Sequence, residues 1–306
     1  MAAIKSYKGF DKNLKCRDFQ YEIGKEYKMD GEIKVCSRGF HACESPLEVF
    51  DYYPMIGSRF CEVEQDGNIS KEDRGTKICS SKIKIKAELK LADMINLGVE
   101  WLKEITSPEK IKTSIKDNSS GNYAQIGSSG YDAKIGSSGY GAKIGSSGYG
   151  AKIGSSGNYA QIGSSGDDAK IGSSGNYAKI GSSGNYAQIG SSGDDAKIGS
   201  SGNYAKIGSS GDDAQIGSSG YGAKIGSSGY GAKIDSTGEG CVIMCAGINS
   251  VAKASKGSWI TLSEWSYSDK KKRYIPVCVK TEFVDGEKIK ADTYYKLAGG
   301  VFKEIQ

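Results

Sequence analysis

A nine-residue unit, Ile-Gly-Ser-Ser-Gly-x-x-Ala-Lys/Gln, repeats without insertion across 126–234 and is echoed more loosely on either side. A unit this short cannot bury its apolar residues alone, so successive copies must stack on one another and the middle of the chain is a solenoid. Two glycines per copy, each about 1 kcal/mol worse than alanine in a helix, together with a β-branched isoleucine, exclude helix. Strand and turn remain. The segment x-x-Ala-Lys-Ile reads as a short strand with Ala and Ile inward and Lys or Gln outward, and Gly-Ser-Ser-Gly reads as the corner.

Fourteen isoleucines, Ile126 first and Ile243 last, hold one register. With one strand and one corner per copy, about two repeats close a coil, which gives two columns of seven isoleucines and a rod of roughly 30–35 Å at ~4.8 Å per coil. The interior is expected to hold only Ala and Ile. No proline lies between Pro108 and Pro276, as a stack of hydrogen-bonded coils requires.

Because Ala lies between them, the second variable residue and the Lys/Gln position share the outer face. Tyr159, Tyr177, Tyr186 and Tyr204, with Lys134, Lys143, Lys152, Lys170 and Lys179, are therefore the candidate contacts for a partner. In the Tyr-Gly copies the ring shifts to Tyr140, Tyr149, Tyr221 and Tyr230, at the strand edge or partly inward. Asp168, Asp195 and Asp213 fall among the outward cations, so the face reads as mixed in sign. Nine Lys against seven Asp across 126–234 leave +2, no strong electrostatic footprint. Calcium-binding nonapeptide rolls need an Asp at one fixed place in every copy, and ice-binding faces need ranks of Thr, where Thr237 stands alone. The repeats carry neither pattern. Tyrosines beside lysines leave nucleic-acid binding open, as they do a purely structural rod.

The chain has 306 residues, a net charge of +5 and no run of eighteen apolar residues, and no signal-peptide core follows Met1. This composition points to a cytoplasmic protein with no membrane span. Eight cysteines are scattered without the spacing of a disulfide framework, so reduced thiols are expected. Three parts are expected: an α+β head over 1–105, the solenoid over 106–251, and a β cap over 252–306. The fold class is mainly β.

In the head, Ser45-Pro46-Leu47-Glu48 has the form of a capping box and places a helix over 46–53. Ile83, Ile85, Ala87 and Leu89 alternate with charged residues, which marks a long half-exposed strand, and a helix over 92–105 follows. Arg59-Phe60-Cys61-Glu62-Val63-Glu64 is a further strand. In the cap, Trp259, Ile260, Leu262 and Trp265 are expected to cover the last coil. Strands over 274–283 and 287–297 are joined at Val284-Asp285-Gly286, a hairpin signal, and a third strand over 301–305 follows Gly299-Gly300. Lys270-Lys271-Lys272-Arg273 is the densest basic cluster and a candidate contact to phosphate or to an acidic protein surface.

His41, the lone histidine, sits in Cys36-Ser37-Arg38-Gly39-Phe40-His41-Ala42-Cys43. Thiolate and imidazole suit zinc, but the spacing of Cys16, Cys36, His41 and Cys43 fits no zinc knuckle, and neither metal nor cofactor is expected. A Ser/His/Asp or Cys/His hydrolase has little support, with Cys36 or Cys43 beside His41 the one pair left open.

The runs Tyr7-Lys8-Gly9-Phe10, Leu14-Lys15-Cys16-Arg17, Phe19-Gln20-Tyr21-Glu22, Gly24-Lys25 and Gly39-Phe40-His41-Ala42-Cys43 resemble an uncharacterised N-terminal domain of bacteriophage, prophage and gut-bacterial proteins. The resemblance extends through the Ile-Gly-Ser-Ser-Gly repeats to Gly257-Ser258-Trp259-Ile260-Thr261-Leu262 and to the stretch that opens Val284-Asp285-Gly286-Glu287. It implies no activity. It implies a setting: a phage or prophage accessory protein in the bacterial cytoplasm, where interference with host immunity is a common role. A second likeness, to ADP-ribosyltransferase-like folds, would gather Lys8, His41, Tyr52 and either Glu62 or Glu64 around one cleft able to hold a nicotinamide dinucleotide.

The expectation is a non-enzymatic interaction protein that presents a rigid ladder, and its head cleft, to a bacterial protein such as a defence nuclease or other immune effector, and so inhibits it. The alternatives are an ADP-ribosyltransferase-like or nucleotide-binding head, and a nucleic-acid-binding or structural solenoid. Faces this regular also suit a homodimer.

Overall fold

The computed structural model describes residues 3–72, 75–107, 118–119 and 121–305. The fold is mainly β, with 48% strand and 7% helix, and a solenoid of about 8 turns lies between residues 125 and 262. Two compact units divide the chain, Met1–Trp101 and Leu102–Gln306.

In the first unit the strands Ile4–Phe10, Phe40–Cys43, Arg59–Lys71 and Lys77–Leu89 close a ring. Lys77–Leu89 pairs with both Phe40–Cys43 and Arg59–Lys71, and Ile4–Phe10 bridges the other sides of those two. The ring buries Phe10, Tyr21, Phe40, Val63, Ile83 and Ile85, and Ile83 and Ile85 alternate inward as their pattern requires. The helix at Leu91–Ile105 agrees with the expected span, and its last turn, from Leu102, belongs to the second unit. The capping box does not form. Leu47–Asp51 is a 3₁₀ helix without a side-chain cap, the Ser45 hydroxyl has no partner, and Glu48 accepts from the Thr76 N–H and hydroxyl instead.

In the second unit each rung pairs in parallel with the rung 18 residues later: Lys152–Ser155 lies beside Lys170–Ser173, with Ile153 opposite Ile171. Two repeats therefore make one coil, and the rungs form two ten-stranded sheets. Both isoleucine columns are buried. At ~4.8 Å per coil, eight coils span roughly 38 Å.

The strand and corner fall two residues later in the repeat than local propensity suggests. The strand is Lys-Ile-Gly-Ser, as in Lys170–Ser173, and the corner is Ser-Gly-x-x. The first serine of each copy therefore points inward beside Ile and Ala: Ser164, Ser182 and Ser200 are fully buried. Parallel strands stacked in register saturate the backbone and carry this serine into the interior. The interior is thus Ile, Ala and Ser, not Ile and Ala alone.

The second variable residue closes the corner with positive φ, 59° at Tyr177 and 55° at Asp195. That conformation turns the side chain to the rim of the rod, away from the lysine face. In the Tyr-Gly copies glycine takes this position, φ 66° at Gly222, and the ring stays exposed, as at Tyr221 and Tyr230, rather than turning inward. The first variable residue binds corner to corner. Asn176 Oδ1 accepts from the Asp194 N–H at 3.0 Å, and the Asn176 N–H donates to Asn158 Oδ1 at 2.9 Å.

Regular winding continues through Val251–Ala254 and into Trp259–Ser268, which pairs in parallel with Val242–Cys245. The terminal hairpin joins Trp259–Ser268 to Arg273–Phe283. No hairpin forms at Asp285-Gly286. Asp285 Oδ1 accepts from the N–H groups of Glu287 and Ile289, and this loop places Val284 and Ile289 in the core at the end of the rod. The next strand is Tyr294–Ala298, paired with Val301–Ile305 across Gly299-Gly300.

Candidate functional site

The head encloses a cavity of about 580 Å³ whose lining includes Lys8, His41 and Tyr52, together with Arg17, Lys77 and Tyr53. Lys8 enters from the strand Ile4–Phe10 and is 5% exposed. Its Nζ donates to the His41 carbonyl at 2.9 Å and to Cys16 Sγ at 3.6 Å, over the rings of Phe10 and Tyr21. Burial pulls its pKa below the ordinary lysine value.

His41 Nε2 accepts the Cys36 N–H at 3.0 Å, which leaves the ring proton on Nδ1. Burial first, then the charges of Lys8 and Lys77, push the His41 pKa down, so the ring is neutral and anchors the loop before it. Lys77 Nζ lies 3.2 Å from Cys36 Sγ and 4.3 Å from the centre of the Tyr52 ring. Burial lifts the Tyr52 hydroxyl to about 12. Gly39, with φ 132°, passes so close to Cys79 Sγ that a β-carbon would overlap it, which explains a glycine immediately before Phe40-His41.

Residues 4–97 match the family described as Domain of unknown function (DUF7666). No curated protein and no solved structure matches the chain. The expected N-terminal domain of unknown function is therefore present, and the cavity belongs to it.

Two residues proposed for an enzymatic cleft lie elsewhere in the DUF7666 domain: Glu62 pairs with Lys5 at 2.8 Å and Glu64 with Lys86 at 2.9 Å. No carboxylate lines the cavity among the described residues. Nor do three His, Cys, Asp or Glu side chains converge as a metal site among them. All eight cysteines are unpaired. Arg17, Lys77 and Tyr53 were not legible as cavity residues, because they reach it from a hairpin turn, a distant strand and the end of the 3₁₀ helix.

On the solenoid the candidate lysines divide between the two sheets. Lys134, Lys152 and Lys170 stand exposed in one column with Gln188, Lys206 and Lys224, and none of these five lysines is ion-paired among the described residues. The neighbouring column is Gly154, Gly172, Gly190, Gly208 and Gly226, where a β-carbon would meet nothing within 4 Å. The two columns form a shallow gutter along the sheet. The other sheet differs: Lys179 and Gln161 are 2% and 5% exposed, and Leu102 and Thr106 pack over Gly127 and Gly145. Lys179 is therefore no surface contact, and Lys143 is half-buried.

The Asp pairs sit on the rims, so the open lysine column is not mixed in sign. The tyrosines also sit on the rims and stack on one another: Tyr159 on Tyr177 at 4.8 Å and 11°, Tyr186 on Tyr204 at 5.3 Å and 9°. In each such pair one face of each ring is covered, and the rings lie off the lysine surface. Lys270, Lys271, Lys272 and Arg273 are exposed at the tip of the terminal hairpin.

One feature was missed in sequence. The lysine column continues in register through Val242 and Trp259 to Phe283, and the glycine column runs to Met244. These four side chains are 40–54% exposed, with Trp259 and Phe283 in ring contact at 5.0 Å.

Proposed function

We propose that this protein is a non-enzymatic interaction protein whose open solenoid sheet receives a partner protein. The observation that carries this is the single outward column in which unpaired lysines run into Val242, Trp259 and Phe283. An exposed apolar patch beside charged residues marks a surface for protein association, and the lysines favour an acidic partner by steering its approach. Self-stacked tyrosines away from the lysines do not offer the base-stacking platform that a single-stranded nucleic acid needs.

The setting is that of a phage or prophage protein acting in the bacterial cytoplasm, and the partner is an immune effector that is inhibited by being bound. This part rests on the sequence resemblance. The rigid, regular face suits such a role because little conformational entropy is lost on binding. Among the described residues no helix is long and apolar enough to cross a membrane.

The test is affinity capture from bacterial lysate with the parent chain, with a variant carrying Lys→Glu at 152, 170, 206 and 224, and with Trp259→Ala. A stoichiometric protein partner should be captured by the parent and lost in both variants, and its activity should fall when the complex is reconstituted. Equal capture by all three chains, or a partner that is nucleic acid, defeats the proposal.

A further inference from the structure

The lining of the cavity in the DUF7666 domain is cationic. Lys8, Arg17 and Lys77 contribute three cations to its wall, and among the described residues no carboxylate lines it. Lys8 is the decisive group. Its ammonium is buried, yet its bonded partners are a backbone carbonyl and a sulfur. Holding a lysine charge away from water without an ion partner is unfavourable, and a strand residue could be apolar here at no loss to the core.

Two loop residues on the rim carry backbone strain as well. Arg17 and Cys36 have φ of 54° and 64°, a conformation that is unfavourable for a non-glycine residue. Such strain gathers at ligand sites, where the surrounding structure holds it in place. At Cys36 the N–H bond to His41 and the Lys77 contact to Sγ hold it. Tyr21, Tyr52 and Tyr53 supply flat apolar wall between the cations. The volume of about 580 Å³ is that of a small-molecule site.

We infer that this cavity binds a phosphate monoester carried on a small planar ring, with the phosphate held by Lys8, Arg17 and Lys77 and the ring against the tyrosines. A monoester dianion neutralises two of the three cations, where a carboxylate neutralises one, and its three terminal oxygens can accept from three donors at once. His41 Nε2 is committed to the Cys36 N–H, so the ring positions the wall. The site is independent of the solenoid face, and neither assignment depends on the other.

The test uses the full chain and isothermal titration calorimetry at low salt, with naphthyl phosphate, naphthoate, naphthol and inorganic phosphate as probes. Naphthyl phosphate should bind about tenfold or more tightly than each of the other three. Lys8→Met and Arg17→Gln should each weaken it by about tenfold or more. Arg17 is exposed, so its replacement tests the site without putting the fold at risk. The inference fails if naphthyl phosphate gives no binding, if naphthoate binds as tightly, or if binding is unchanged in Arg17→Gln and Lys8→Met.

Discussion

Gly193 is seated against the carbonyl of Gly175, the glycine one coil earlier, so closely that a β-carbon on Gly193 would overlap the oxygen. The same contact recurs up both corners of the rod, at Gly184 on Gly166 and Gly202 on Gly184. The corner glycines, together with the strand ladder, therefore limit how closely the coils stack.

The two glycines of one repeat should therefore behave oppositely. Gly193→Ala forces neighbouring coils apart and is expected to destabilise by about 1–3 kcal/mol, as overpacking does. Gly190→Ala, three residues earlier, enters open space without a positive φ. It should be neutral or stabilising by up to about 1 kcal/mol, through the unfolded chain. Urea unfolding of the two variants separates them, and equal destabilisation would contradict the corner contact.

Ser182 is fully buried and its hydroxyl has no hydrogen-bond partner. Leaving a buried donor unmade costs about 1–3 kcal/mol, so Ser182→Ala should raise stability by about 1 kcal/mol. The chain already makes equivalent replacements in its last coils, where Cys245 follows Ser227 and Ala254 follows Ser236 in the same columns. A fall in unfolding midpoint for Ser182→Ala would mean that the hydroxyl is satisfied in solution.

Asp213 lies at a corner with Asp194, Asp195 and Asp212 nearby. Burial, then these carboxylates, hold its pKa above the ordinary 3.8. The folded chain keeps this proton to higher pH than the unfolded chain, so stability falls as pH rises from 3.8 through the raised value. Asp213→Asn removes that loss, and asparagine accepts the positive φ, as Asn249 does at 56°. The variant's advantage in thermal unfolding should be small at about pH 3 and larger at about pH 7; a pH-independent difference would refute the charge crowding.

Lys8 gives the opposite dependence. Its folded-state pKa lies below the ordinary 10.5 because burial disfavours the ammonium. Between those two values the unfolded chain binds more protons than the folded one, so the parent gains stability as pH rises. Relative to Lys8→Met, the parent should therefore improve from about pH 7 to about pH 10. A constant gap across that range in chemical denaturation would show that the Lys8 amine is solvated.

Much of the rod was legible locally. A repeat of nine with Ile and Ala at fixed places leaves few ways to bury both, and pairing 18 residues apart follows once each copy supplies one strand and one corner. Where the strand stops was not legible. Gly-Ser-Ser-Gly carries turn propensity throughout, but the first serine is drawn inward by the in-register ladder, and cross-coil bonds from Asn176 to Asp194 pull the corner onto the variable residues. Propensity is a property of the isolated segment, and the ladder overrides it.

By its sequence alone this chain determined a wound β rod of two isoleucine columns, because period and side-chain polarity are local properties that every copy repeats. Tertiary structure decided which surfaces remain available. Identical lysines became an exposed column at Lys152 and Lys170 and a buried group at Lys179, since exposure is set by the three-dimensional surroundings of a position and not by its place in the repeat. It also brought Lys8, Arg17 and Lys77 around one cavity from separate strands and turns, a convergence set by the closure of the β ring and by no feature of the residues adjacent to each.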